Sequence, residues 1–374
     1  MNRHAAVFSP KTVAIYGVGL LGGSIGLALK TSGHKGRIVG FSSPAAIKTA
    51  LELGCIDEGH GYDSLDTIVK SIDCLFLCAP IHAIITAIER LGSLSLPVGC
   101  IITDVGSTKS EIVAAARRFL PEQVHFIGGH PMAGSEKRGP SAADPYLFQD
   151  SIYVLTPGEN APAGMVSGFA AFLESNLGCR HVLLSPDTHD TIAAAVSHVP
   201  HLLAVALVNT AAAMNGRMPG TLALAAGGFR DMTRIASSPY AMWRDILATN
   251  KSRIAPLVGE FAATLNVMKD ELLRDGLGDA FNAAAETRAK IPRSSKGFIG
   301  ALYEVFVIVK DQPGMIALMA NVCAKENINI KDIEVLKVRE NEAGTIRLAF
   351  ETRDIARRAV ELLRNIGVTA WERE

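Results

Sequence analysis

Apolar and polar positions along the first half of the chain switch repeatedly between two periods. Short apolar runs at Thr12–Tyr16, Arg37–Phe41, Asp73–Cys78, Gly99–Thr103, Val124–Ile127, Ser151–Leu155 and His181–Leu184 read as strands. Stretches with helical spacing lie between them. This alternation predicts a doubly wound, mostly parallel α/β sheet of the Rossmann type over residues 1–185. After Ser185-Pro186 the character changes. To about Arg288 the chain is rich in Ala, Leu and Met at helical spacing, with no convincing strand. Ala193–Met214 is apolar almost all round, so the expectation is a helix buried in a bundle or at a subunit contact. Residues 186–290 therefore read as an all-helical dimerisation domain, with Asp187 as candidate N-cap of its first helix. Lys290–Gly300 is basic and polar with Pro and Gly, and 291–300 reads as a linker. Beyond it, strands at Leu302–Val309, Asp332–Val338, Thr345–Phe350 and Val368–Trp371 alternate with helices at Met315–Glu326 and Asp354–Ile366. That order over 301–374 is βαββαβ, a small ferredoxin-like antiparallel sheet with two helices on one face.

Gly17-Val-Gly19-Leu20-Leu21-Gly22 stands between the first strand and a helix-forming run. In that setting Gly-x-Gly-x-x-Gly is informative. The glycines permit a tight turn and close approach of the backbone to a pyrophosphate, which the helix N-terminus stabilises. The expectation is a dinucleotide site built from Gly17, Gly19, Leu20, Leu21 and Gly22. Ala79, Pro80, Asp104 and Ser107 join it from later strand ends. An acid roughly 20 residues after the glycines would bind the ribose hydroxyls of NAD. Here the second strand ends in Ser42-Ser43-Pro44. No acid stands there to repel a 2′-phosphate, which admits NADP. No arginine follows at once to clamp one either, and Lys48 is the nearest cation after the strand. The hydroxyls of Ser42 and Ser43 can equally bond the ribose of NAD, so both cofactors stay open.

Gly128-Gly-His-Pro-Met-Ala-Gly-Ser-Glu-Lys-Arg-Gly139 follows a strand-like run and sets His130 at that strand's end, with Glu136, Lys137 and Arg138 close behind. In an open α/β sheet ligands sit at the carboxyl ends of the strands. Histidine suits proton chemistry near neutral pH; a loop histidine that caps or packs is the bland alternative. Asp104-Val-Gly-Ser107-Thr-Lys109 leaves another strand end, so Ser107 and Lys109 are expected on the ligand side, unless Ser107 only caps the helix that starts near Ser110. His198-Val-Pro-His201 puts two histidines on one helix face if Pro200 does not break the turn. No further ligand cluster accompanies them, so no metal is expected, and a buried polar pair facing a ligand is the economical reading. Arg230, Arg234 and Arg244 gather beside Asp231 and Asp245. They form either a solvated salt-bridge network or a guanidinium fork for a carboxylate.

Composition narrows the classes. The 374 residues are 48% hydrophobic, and Lys+Arg and Asp+Glu both count 37. That balance makes no electrostatic case for nucleic acid or an acidic membrane. Six scattered cysteines lack metal-ligand spacing and read as buried thiols in a reducing compartment. The N-terminus has no apolar signal core, and Ala193–Met214, the nearest thing to a membrane span, carries His198, Pro200, His201 and Asn209. The expectation is a cytoplasmic protein.

Taken together, Gly17–Gly26, Asp104–Lys109, Gly129-His-Pro-Met-Ala-Gly-Ser-Glu136, Ser197-His-Val-Pro-His201, and Gly227–Arg234 with Met242–Asp245 resemble the prephenate dehydrogenases and their arogenate-using relatives, from about residue 12 to 290. Asp311-Gln-Pro-Gly314 and the tail around it look like an ACT domain, an amino-acid-sensing module. The resemblance implies oxidative decarboxylation of prephenate to 4-hydroxyphenylpyruvate, with hydride passing to NAD or NADP. It implies that His130 acts as base on the ring hydroxyl and that Ser107 positions that hydroxyl and the nicotinamide. Arg234 would grip a carboxylate, and His201 and His198 would line the pocket. Glu136 and Asp231 would orient basic groups and gate access, with Trp243 reaching in from a partner subunit. Tyrosine is implied as an inhibitor and a homodimer as the assembly. Arogenate dehydrogenase is the nearest rival. A β-hydroxyacid dehydrogenase would need a lysine on the long helix, which Ala193–Met214 lacks. A non-catalytic dinucleotide and amino-acid sensor would not need the base and arginine.

Overall fold

The computed structural model describes residues 8–134, 137–290, 302–310, 312–337 and 343–372. They fall into two compact units, one ending at Leu277 and the other beginning at Gly278.

The first unit opens with β1 (Thr12–Tyr16), α1 (Leu20–Thr31), β2 (Arg37–Phe41), α2 (Pro44–Glu52), β3 (Glu58–His60) and α3 (Leu65–Ile68). It continues through β4 (Cys74–Leu77), α4 (Ile81–Gly92), β5 (Ile101–Asp104), α5 (Ser110–Phe119), β6 (His125–Pro131), β7 (Ile152–Pro157), α6 (Ala163–Leu177) and β8 (Arg180–Leu183). The eight strands lie in the order β3-β2-β1-β4-β5-β6-β7-β8. Neighbours are parallel except β6 and β7, so β7 and β8 run against the rest. Central strands read as unbroken apolar runs because both sheet faces are covered. Val13 and Ile15 enter one core with Ile25, Leu29, Phe76 and Phe169. Ala14 enters the other with Val39, Leu75, Ile84, Ile88 and Ile112. Each fully buried side chain of this size stabilises the fold by roughly 1.5–3 kcal/mol relative to exposure.

Two strands differ from expectation. The edge strand β3, Glu-Gly-His, has no apolar alternation to mark it. Strand β6, expected to stop at Ile127, runs on to Pro131, because Gly128 to Pro131 pair antiparallel with Thr156 to Tyr153 of β7. His130 is thus held in a strand rather than a loop.

Helices complete the unit. A run from Pro186 to Arg217 joins α7 (Pro186–Ala193), a π-helical turn (Ala194–His198) and α8 (Val199–Arg217). Asp187 is not its N-cap. Ser185 takes that place, accepting from the Thr188 amide at 3.1 Å, and Asp187 pairs with Arg253 instead. Pro200 falls in the first turn of α8, where a missing N–H costs little, so the run is unbroken. Its length and composition alone would suffice to cross a bilayer, a test that a core helix of a folded protein also passes. Its leading end is sewn into the fold through buried His189, Asp190 and His198. There follow α9 (Gly227–Thr233), a 3₁₀ turn (Arg234–Ser237) packed on α8, and α10 (Tyr240–Leu272), which packs on α4, α7 and α8.

The second unit comprises α11 (Gly278–Lys290), β9 (Tyr303–Lys310), α12 (Met315–Lys325), β10 (Asp332–Lys337), β11 (Ala343–Phe350), α13 (Arg353–Asn365) and β12 (Thr369–Glu372). Its sheet is antiparallel in the order β10-β11-β9-β12. Val305, Val307, Leu348 and Phe350 pack against Met319 and Cys323 of α12 and Ala356, Ala359 and Leu363 of α13. This is the expected ferredoxin-like order. The linker and Asp311 lie outside the described residues.

Candidate active site

Strand β1 hands over to α1 through Gly17, whose φ is +95°. A Cβ there would lie 2.3 Å from the Cys78 carbonyl oxygen, so only glycine lets these strand ends approach. The Gly17 amide donates to Phe41 at 2.8 Å, tying the loop to β2. Gly19, at the N-terminus of α1, faces open space. It borders a cleft of about 390 Å³ that Leu20, Leu21, Ala79, Pro80 and Ser107 also line. A helix N-terminus opening onto a space free of side chains fits a pyrophosphate. At the end of β2, Ser42 is buried with its hydroxyl 3.5 Å from that of Tyr62, and Ser43 caps α2.

The Asp104 side chain, expected at the cofactor, is turned into the sheet. Its carboxylate is buried between β5 and β6. One oxygen accepts from the Gly106 amide at 2.8 Å and from the Lys109 ammonium; the other accepts from the Gly129 amide at 3.0 Å. It braces two strands. Lys109, expected on the ligand side, is sealed beside it, and its Nζ donates to the Gly129 carbonyl at 2.6 Å. Burial lowers the pKa of Lys109, and the Asp104 carboxylate opposes that. Ser107 does not cap α5. Asp190 does so, its oxygens accepting from the Lys109 amide at 2.7 Å and the Ser110 amide at 2.8 Å.

His130 is joined to that carboxylate through a second imidazole. Its Nδ1 lies 2.8 Å from Nε2 of His189, and Nδ1 of His189 lies 2.8 Å from Oδ1 of Asp190. Burial pushes the His130 pKa well below the ordinary histidine value; His189, Lys109 and His198 add to this and Asp190 opposes it. Burial would raise the Asp190 carboxyl, but hydrogen bonds from His189, Ser110 and Lys109 outweigh it and hold it at about 2. Asn250 donates to the Asp190 carbonyl at 2.8 Å and meets Nδ1 of His198 at 3.1 Å. Burial brings His198 down to about 4, with Asp190 opposing, and lowers His201 as well.

Trp243, implied to reach in from a partner subunit, packs on histidines of its own chain. Its ring stacks on His201 with centroids 3.6 Å apart and meets His198 edge-on at 5.9 Å. The two histidines therefore do share a face. Arg234 is not part of this network. It is exposed in the 3₁₀ turn packed on α8, and its guanidinium has no partner among the described residues. Asp231 is exposed nearby. Arg230 donates to the Ala225 carbonyl, and Arg244 pairs with Asp245 at 3.2 Å. Glu136 lies outside the described residues. Sequence reasoning missed His189, Asp190 and Asn250 as site residues. The adjacent His189-Asp190 pair is the one local signal of them in the sequence.

Residues 25–183 match the family described as prephenate dehydrogenase, nucleotide-binding domain, and residues 185–286 match its dimerization domain. A prephenate dehydrogenase of Bacillus subtilis is 36% identical over 94% of this chain and 95% of its own. Among solved structures, prephenate dehydrogenase from Aquifex aeolicus in complex with hydroxyphenyl propionate and NAD+ is 32% identical, covers 76% of this chain and 98% of its own, and has a TM-score of 0.67. Arogenate dehydrogenase of Synechocystis is 27% identical, covers 75% of this chain and 98% of its own, and has a TM-score of 0.64. The chain is an NAD(P)-dependent dehydrogenase and belongs to the prephenate dehydrogenase family.

Proposed function

We propose that this protein oxidises prephenate to 4-hydroxyphenylpyruvate, with loss of carbon dioxide, and that its cofactor is NAD. The observation that carries this is His130, an imidazole kept neutral by burial, held in strand β6 and hydrogen-bonded to His189. When bound, NAD accepts hydride. Gly17, Gly19, Leu20, Leu21, Gly22, Ala79 and Pro80 would hold it, with Ser42 and Ser43 at the ribose. His130 takes a hydrogen bond, and then the proton, from the ring hydroxyl, and Ser107 aligns that hydroxyl from the cleft wall. Arg234, without a partner among the described residues, grips a carboxylate of the substrate. His201 and His198 line the pocket, with Trp243 stacked behind His201 to fix its ring. Asp231 and Glu136 screen the basic groups.

Two chains pair through the helical domain, which the match to a dimerization domain supports. Tyrosine inhibits through the C-terminal unit, read as an ACT domain. A cavity of about 570 Å³ there borders Gln312, Pro313, Gly314 and Met315. The setting is the cytoplasm, which six free cysteines suit. The solved arogenate dehydrogenase favours a second reading, in which the substrate carries an amine in place of the keto group. Steady-state assays with prephenate or arogenate against NAD or NADP, with and without tyrosine, decide. Turnover with arogenate alone transfers the chain to that branch, and no turnover with any pair sinks the dehydrogenase reading of this site.

A further inference from the structure

We propose that His189 and Asp190 form a proton relay behind His130, fixing its tautomer and sharing the proton it takes from the substrate. The inference rests on His130 being the base. The chain of donors and acceptors sets the tautomers in turn. Asp190 accepts two backbone amides at the start of α5 and serves only as an acceptor. Its Oδ1 faces Nδ1 of His189 at 2.8 Å, so the His189 proton sits on Nδ1. In a neutral imidazole the other nitrogen is then a lone pair. That lone pair, on Nε2, faces Nδ1 of His130 at 2.8 Å. Two lone pairs do not face each other at that distance, so His130 carries its proton on Nδ1. Its Nε2 is left unprotonated, as a base requires.

The same chain carries charge. The hydroxyl O–H bond breaks and an N–H bond forms at Nε2 of His130. The proton on Nδ1 of His130 then passes to Nε2 of His189. His130 is neutral again, and the positive charge lies on His189 against the Asp190 carboxylate. It has left His130, whose protonation the buried ammonium of Lys109 and His198 disfavour. His189 in turn is faced by Asp190, His130 and His198. With the C4 hydrogen leaving as hydride the oxygen becomes a carbonyl, and loss of carbon dioxide then sends its bonding electrons through the ring and makes that oxygen a phenolate. Both shifts then reverse, and the proton returns to that oxygen. No net proton is released, so a relay that holds one suffices.

The direct test is the tautomer. In the full-length protein with ¹⁵N-labelled histidine, long-range ¹H–¹⁵N spectra read which His130 nitrogen bears the proton, with His130→Asn supplying the assignment. We expect a protonated Nδ1 in the wild type and a shift towards protonated Nε2 in His189→Phe. A protonated Nε2 in the wild type, or no change in the variant, overturns the proposal. Kinetics separate its two halves. His189→Gln keeps an acceptor for His130 but cannot take up a proton, so the tautomer is retained and kcat falls about tenfold. Wild-type kcat in that variant removes the charge-sharing half. Asp190→Asn keeps an oxygen for the Lys109 amide and His189 but removes the carboxylate charge, so the tautomers are retained. Its kcat falls by about tenfold or more while KM stays within about threefold. Should these variants fail to fold, the wild-type spectrum still decides. An active His130→Asn defeats the base reading itself. An inactive His130→Asn beside fully active His189→Phe and Asp190→Asn defeats the relay alone.

Discussion

The ammonium of Lys109 donates to the carbonyl oxygen of Gly129 at 2.6 Å, and the next residue in the chain is His130. Together with Asp104 this pins the strand segment that presents His130, the proposed base. The pair is fully buried, so deleting one member strands the other. Lys109→Met should destabilise the protein by roughly 3–5 kcal/mol. Lys109→Met with Asp104→Asn should recover part of that. Urea unfolding of the two variants measures both effects; a loss under about 1 kcal/mol in the single variant would show that the pair is not a brace.

His130→Asn should lower kcat by about 10²–10⁴ with little change in cofactor affinity or melting temperature. The base works only when neutral, and burial lowers its pKa. Activity should therefore persist below the ordinary histidine value of about 6.5 and fall only as pH drops through the depressed pKa. A log(kcat/KM) profile with its acid limb at or above about 6.5 would contradict the burial argument.

Arg234→Gln should weaken substrate binding by roughly 2–5 kcal/mol, read as a raised KM for prephenate with KM for NAD unmoved. An unchanged prephenate KM would mean that the carboxylate is held elsewhere.

His198 ties an acid-stability window to the site. Its pKa is about 4 in the folded chain against about 6.5 unfolded, so the unfolded state binds the extra proton first. Stability is lost as pH falls below about 6.5, and the loss is complete below about 4, with His198 contributing on the order of 3 kcal/mol. His198→Asn should flatten the stability slope across that window. An identical slope by urea titration at several pH values would assign the acid sensitivity to other groups.

Removing residues 299–374 should abolish inhibition by tyrosine while sparing turnover of prephenate. Persistent inhibition in the shortened chain would put the tyrosine site in the first unit.

Much of the fold is legible in the sequence because periodicity is local. The alternation that predicts β1, β2, β4 and β5 depends only on which residues meet a core. What escapes is set by distant partners. Gly128 and Gly129 look like strand breakers, yet they continue β6, because a Cβ at Gly129 would meet the Asp104 carbonyl at 2.5 Å. The two glycines are there for strand crowding. His130 stands out from its neighbours, whereas the role of His189 depends on a contact across 59 residues. No spacing rule encodes that. Lys109 misleads for the same reason: position at a strand end suggests a ligand, and burial by α7 and β6 makes it a strut. The resemblance speaks only of a reach from a partner subunit for Trp243, whereas its stack on His201 of the same chain is a tertiary fact.

Asp190 belongs to α7, yet its oxygens hold the opening amides of α5 while its neighbour His189 steadies His130. One side chain thus rivets the helical layer to the sheet and aligns the imidazole in the same act. Swinging those layers apart to admit ligands would disarm the catalyst each time. Ligand traffic that keeps His130 aligned leaves this joint shut.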